Sequence, residues 1–125
     1  ELKGFKFGLN ICFDLRFPEL FREHFHQGVE VFTLSSAFTV PTGKAHWETL
    51  LRARAIENQA YIIACNQCGK HNEYLTSYGH SMVVNPWGEV IAKAGDGEEV
   101  IYAELDKSFL EKVRGRMDMR RQLPT

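Results

Sequence analysis

Up to Cys65 the chain alternates between two periodicities, and that alternation most limits what it can become. An apolar strand-like run from Phe5 to Ile11 is followed by a helical pattern from Phe17 to Gln27 that Gly28 closes. A strand from Val29 to Leu34, a helix from Ala45 to Gln59 and a strand from Tyr61 to Cys65 follow. A strand–helix–strand–helix–strand order is the signature of a layered α/β fold. Pro18 near the start of the first helix and Gly28 just past its end fit the usual asymmetry of helix termini. Beyond Cys65 the character changes. Gly79 to Val84, the turn Asn85-Pro86-Trp87-Gly88, and Glu89 to Lys93 predict a hairpin. Gly95-Asp96-Gly97 marks a further turn before a strand from Val100 to Leu105, and an amphipathic helix from Lys107 to about Arg116 ends the ordered part.

A length of 125 residues with 44% hydrophobic and 25% charged side chains suits one globular domain, residues 1–125. A formal net charge of −1 supplies no field for nucleic acid or anionic lipid, so neither is an expected partner. Arg114, Arg116, Arg120 and Arg121 form a small basic cluster that reads as a solvated tail. No apolar run is long enough for a bilayer and no signal peptide is present, so no membrane is expected. Three cysteines, an odd number, argue against a disulfide framework and for a reducing, cytoplasmic setting. Glu1 stands where a methionine would begin a whole protein, and the chain enters a strand almost at once, so it reads as a piece of a longer one.

The helical faces single out several side chains. Phe17, Leu20, Phe21 and Phe25 form the apolar stripe of the first helix; at about 100° per residue His24 joins it as a core or edge histidine, while His26 points to solvent. Trp47, Leu50, Leu51 and Asn58 share one side of the second helix with Arg54 in their midst. A guanidinium there needs a carboxylate, and Asp14 and Glu19 are the nearest candidates. Ile56 points away from that side, which hints at a second subunit covering it.

Cys12 carries the most chemistry. It stands where the first strand gives way to a proline-started helix, and backbone N–H groups opening a helix favour a thiolate and then an oxyanion. A cysteine ending a buried strand is more often a small core residue, so its neighbours decide. Four segments do so together: Gly8-Leu9-Asn10-Ile11-Cys12-Phe13-Asp14-Leu15-Arg16-Phe17-Pro18-Glu19-Leu20, Ser36 to Glu48, Arg52 to Asn58, and Tyr78 to Gly88. In this order, over nearly the whole chain, they resemble the carbon–nitrogen hydrolase (nitrilase) superfamily. The Nit-type branch is the nearest likeness, and Asn66-Gln67-Cys68-Gly69-Lys70-His71 before Ser77-Tyr78-Gly79-His80 is most similar to its amidases for deaminated glutathione, with the ω-amidases as neighbours.

The resemblance implies the C-terminal half of an α-β-β-α sandwich that pairs into a larger one, so a homodimer or larger assembly is expected. It implies Cys12 as nucleophile, the backbone N–H of Phe13 as an oxyanion donor, and no metal or organic cofactor. The family's general-base glutamate and its lysine both lie upstream of the cysteine, outside this chain, so the 125-residue piece is expected to be inactive alone. Glu19, Glu48 and Glu57 read as structural or surface acids. Arg16 could clamp the carboxylate of an amide substrate, as the matching arginine does in Nit-type proteins, or pair with Asp14 or Glu19. Phe38 and Thr42, in the loop after the second strand, are implied to line the substrate pocket. The reaction implied is two-step acyl transfer through a thioester, releasing ammonia.

Other readings remain open. Cys65 and Cys68 with His71 and His80 could form a two-sulfur, two-nitrogen zinc site, although Cys65 closes a strand and so reads as buried core. The same Cys-x-x-Cys could be a redox pair, but no helix follows it. His80 could serve Cys12 as a base, and a non-catalytic interaction subunit is a third class.

Overall fold

The computed structural model describes residues 1–120. Strand β1 (Phe7–Ile11) runs into a 3-10 turn (Cys12–Arg16) and helix α1 (Pro18–His26). Next come β2 (Val31–Ser36), a short helix α2 (Val40–Thr42), a π-helical turn (Gly43–Trp47), α3 (Glu48–Asn58) and β3 (Tyr61–Asn66). The remainder is β4 (Cys68–Lys70), β5 (Thr76–Tyr78), β6 (Met82–Val84), β7 (Val90–Lys93) and α4 (Lys107–Arg116). Five strands form a mixed sheet in the order β1-β2-β3-β6-β7. β1, β2 and β3 are parallel, with Phe7 opposite Val31 and Val31 opposite Tyr61; β6 and β7 add as an antiparallel hairpin. The α/β expectation is met, and so is the hairpin around Asn85, whose Oδ1 accepts from the N–H of Trp87 and of Glu89 at 3.0 Å each.

Helices α1 and α3 bury one face of this sheet. Phe32, Leu34, Ile62, Ala64 and Val84 meet Phe21, Leu51, Ala55 and Trp47 there in a single core. The opposite face is covered by α4 where β2 and β3 begin and is open beyond that: Leu9 is 76% and Ile11 70% exposed, and Ser35 and Cys65 are exposed beside them. Cys65 is therefore not core. Strand alternation sends Ala64 and Asn66 toward the helices and Cys65 the other way. An apolar face left open on a sheet is what a second layer covers in a two-sheet sandwich.

The helices depart from the sequence reading where polar partners intervene. The helical run before α3 opens at Val40, five residues earlier than Ala45, with Pro41 in its first turn. Arg54 is buried as expected, but its partners are Glu57, at 3.3 Å one helical turn on, and the carbonyl of Leu15, which accepts from Nε at 3.1 Å; neither Asp14 nor Glu19 pairs with it. Glu48 binds Lys93 at 3.2 Å, so both Glu48 and Glu57 hold structural ion pairs. His24 is half-buried against Phe32, whereas His26 is also half-buried, edge-on to Phe25, rather than solvated. Phe17 caps α1 and is 42% exposed, packing on Phe13 instead of the core.

One expected strand does not form, and one small hairpin carries no sequence signal. Val100–Leu105 joins no sheet among the described residues, and Val100 and Tyr102 are 76% and 86% exposed. Its β-branched and aromatic residues favour a strand, but a strand forms only where a partner pairs with it. The small hairpin of β4 and β5 has three residues on each side, so its pattern is too short to read; Asn72 makes its turn by accepting from the N–H of Tyr74 and Leu75.

Helix α4 crosses the end of the sheet where β2 and β3 begin. Leu110 packs with Phe5, Val31 and Tyr61, and Tyr61 Oη exchanges hydrogen bonds with the backbone of Asp106 at 2.9 and 3.0 Å. Arg114 is no solvated tail residue. Its guanidinium donates to the carbonyls of Val29, Asn58 and Gln59 and stacks on Phe25, and burial pulls its pKa below the usual arginine value. Arg116 lies over Trp87 and Arg120 pairs with Asp118, while Arg121 falls outside the described residues. Asp106 caps α4, accepting from the Ser108 hydroxyl and from the N–H of Ser108 and Phe109, and these bonds hold its carboxyl below the ordinary aspartate range. A depressed folded pKa contributes stability above the unfolded value that disappears as pH falls through the folded one. Helicity is therefore expected to fall below about pH 4, with an Asp106 component that Asp106→Asn removes, since asparagine caps without titrating. Circular dichroism against pH checks this; identical acid profiles would contradict it.

Candidate active site

The carboxyl ends of three parallel strands converge on one region, because Ile11, Ser36 and Asn66 are the last residues of β1, β2 and β3. Cys12 follows β1 directly at φ +39°, in the left-handed region that a side chain normally avoids. Asp14 enforces the bend: its Oδ2 accepts from the N–H of Ile11 at 2.9 Å and its carbonyl from the N–H of Phe17 at 3.0 Å. The side chain of Cys12 is half-buried and packs against the main core, so one side of it is held and the other is accessible. The first α-helical residue is Pro18, so the N–H of Phe13 belongs to the short 3-10 turn and not to the mouth of α1. The Phe13 ring itself is 64% exposed.

At three residues per turn, the residue that eclipses Cys12 is Leu15, which is fully buried, and not Arg16. Arg16 is turned aside onto the neighbouring loop. Its guanidinium carbon lies 5.1 Å from the centre of the Phe38 ring, and its Nη1 is 3.3 Å from His46 Nδ1. No bond joins it to Asp14 or Glu19.

Phe38 is fixed by Asn66. The N–H of Phe38 donates to Asn66 Oδ1 at 2.7 Å, and Asn66 Nδ2 donates to the carbonyls of Gly79 at 3.0 Å and Phe38 at 3.4 Å. Beneath lies Trp47, fully buried, its ring 4.9 Å from Phe38 and its Nε1 donating to the His80 carbonyl at 2.8 Å. His80 sits at φ +57° with its ring stacked on Tyr78 at 3.9 Å. Gly43 is required here, since a Cβ would run into the Tyr78 ring. Thr42 is half-buried in the first turn of the helical run, donating to the Thr39 carbonyl at 3.4 Å.

Arg16, at the end of the turn that Cys12 opens, is thus brought onto Phe38 in the loop after β2. Asn66, His46, Trp47 and Tyr78 were not singled out for this region, and only Asn66 gave a signal, as an amide at the inward position of a buried strand. The competing constellations do not assemble: Cys65 faces the open side of the sheet, His71 Nε2 bonds Ser77 Oγ at 2.6 Å, and His80 is held by the Tyr78 carbonyl at 2.6 Å and Asp96 at 3.3 Å. No three histidine, cysteine or acidic side chains converge as a metal site among the described residues. All three cysteines are free, and no helix is long and apolar enough to cross a membrane among the described residues.

Residues 1–115 match the carbon–nitrogen hydrolase family model, and the chain belongs to that family. It is 54% identical over 109 residues to the deaminated glutathione amidase of Mus musculus, covering 87% of this chain and 34% of that protein. Nit3 of Saccharomyces cerevisiae, a member of branch 10 of the nitrilase superfamily, superposes with a TM-score of 0.88 at 42% identity over 93% of this chain and 43% of its own. An amidase from Nesterenkonia sp. AN1, solved with acrylamide added to its active-site cysteine, has a TM-score of 0.76 at 27% identity over 93% of this chain and 45% of its own. The chain spans about a third of the length of the deaminated glutathione amidases of Mus musculus and Rattus norvegicus.

Proposed function

We propose that the protein hydrolyses the carbon–nitrogen bond of a linear carboxamide, with deaminated glutathione as the substrate and Cys12 as the nucleophile. The observation that carries this reading is the half-buried Cys12 held at φ +39° on the turn whose far end sets Arg16 over Phe38. The Cys12 thiolate attacks the amide carbonyl carbon, the oxyanion takes the N–H of Phe13 and a lysine from the rest of the protein, and the C–N bond breaks as ammonia leaves with a proton. Water then adds to the thioester carbonyl, the C–S bond breaks to regenerate the Cys12 thiol, and the carboxylic acid product leaves carrying the water oxygen; a glutamate outside this chain moves the proton in both steps. Arg16 binds a substrate carboxylate, with Phe38 as the wall under it and Thr42 at the rim. Neither a metal nor an organic cofactor has a part in these steps, and the setting we assign is the cytoplasm. The open sheet face is where the other sheet of the sandwich packs, and pairing of two such units through the α3 side, where Ile56 is 49% exposed, gives the homodimer.

The test is ammonia release by the full-length protein from deaminated glutathione and from ω-amido keto acids, side by side. A larger kcat/KM on deaminated glutathione is expected. A larger one on the keto-acid amides would move the protein to the ω-amidases, and turnover of neither would leave the non-catalytic subunit.

A further inference from the structure

We propose that His46 is a specificity-determining positioning residue, which holds the Arg16 guanidinium so that the site selects amides carrying a carboxylate. This deepens the function proposed above and rests on it only for the identity of the substrate. Arginine has donors and no acceptor, so the 3.3 Å contact between Arg16 Nη1 and His46 Nδ1 runs one way: Nη1–H donates and Nδ1 accepts. His46 therefore carries its ring proton on Nε2. One edge of the guanidinium is engaged by the imidazole and its face by the Phe38 ring at 5.1 Å, which leaves the remaining N–H groups to form a planar fork for a carboxylate. Without a partner, a long arginine side chain on a surface turn would sample many rotamers, and fixing it beforehand removes that cost from binding.

The local structure explains how a residue 30 positions away in sequence comes to meet Arg16. His46 lies in the π-helical turn Gly43–Trp47, whose i to i+5 bonding fits an additional residue into the turn and changes the direction of successive side chains relative to an ordinary helix. Trp47 is driven into the core below Phe38 while its neighbour His46 stays exposed and reaches Arg16. The π turn in turn depends on the missing Cβ of Gly43, against which Tyr78 packs. Both His46 and Arg16 remain open enough to take a ligand: Arg16 is half-buried and His46 exposed.

The experiment uses the full-length protein with two readouts. The first is protection of Cys12 from iodoacetamide by glutarate, a dicarboxylate probe, which needs no turnover. His46→Ala is expected to raise the half-protecting concentration about tenfold, and His46→Asn, whose Oδ1 can accept in place of Nδ1, to restore most of it. The second is steady-state kinetics: for a carboxylate-bearing amide His46→Ala raises KM with kcat within about twofold, and for a short neutral amide neither moves. Equal effects on both amides, a fall in kcat alone, or an Asn variant no better than Ala overturns the proposal. Absent turnover with the protection pattern intact would sink the amidase reading and leave the role of His46 standing; normal turnover with glutarate protection unchanged by His46→Ala would do the reverse.

Discussion

Cys12→Ser in the full-length protein is expected to lower amide turnover by about a thousandfold or more while leaving the fold intact. Serine nearly matches the thiol in size, so the half-buried packing survives, and the left-handed backbone that Asp14 enforces is no harder for serine than for cysteine. What disappears is the sulfur nucleophile, because a hydroxyl is far less nucleophilic and stays protonated without a dedicated base arranged for it. Unfolding midpoints should coincide for the two proteins while ammonia release separates them. Retained turnover in the serine variant would move the chemistry to another residue.

Asn66→Ala carries the second large effect, on stability. Removing the amide leaves the N–H of Phe38 and the carbonyl of Gly79 without their side-chain partners in a site where Asn66 itself is only 8% exposed. Each stranded buried group costs about 1–3 kcal/mol, so a total of about 3 kcal/mol is expected in urea unfolding. Gln67→Ala, at the exposed neighbouring position, should change stability by less than about 0.5 kcal/mol. The loss should also reach binding, because Phe38 forms the surface on which Arg16 lies. An Asn66→Ala protein as stable as the Gln67→Ala one would mean that the amide does not hold this loop.

The layered half of the molecule was legible because its signals are local and repeated. Strand alternation and helix stripes place Phe32, Leu34, Ile62, Leu51 and Trp47 in one core, and the termini of α1 follow from Pro18 and Gly28. Arg54 was legible as a buried cation, but not its partner: Glu57 lies on the same helix, where an i to i+3 reach competes with the longer-range carboxylates that a pattern suggests. Val100–Leu105 failed for the opposite reason, since strand propensity describes a segment and pairing depends on a second one. In the site, Cys12 was visible from its place at a strand end. The meeting of Arg16 with His46 was not, because it depends on a 3-10 turn and a π turn, neither of which obeys the 3.6-residue period used to read helices.

The direct test of the central claim is trapping of the acyl-enzyme. The full-length protein, quenched in acid during turnover of deaminated glutathione, is digested and its peptides are weighed. The account predicts a mass increase equal to the substrate's acyl group, on the peptide containing Cys12 and absent from Cys12→Ser. An adduct on Cys65 or Cys68, or turnover at full rate with Cys12 never acylated, would contradict it.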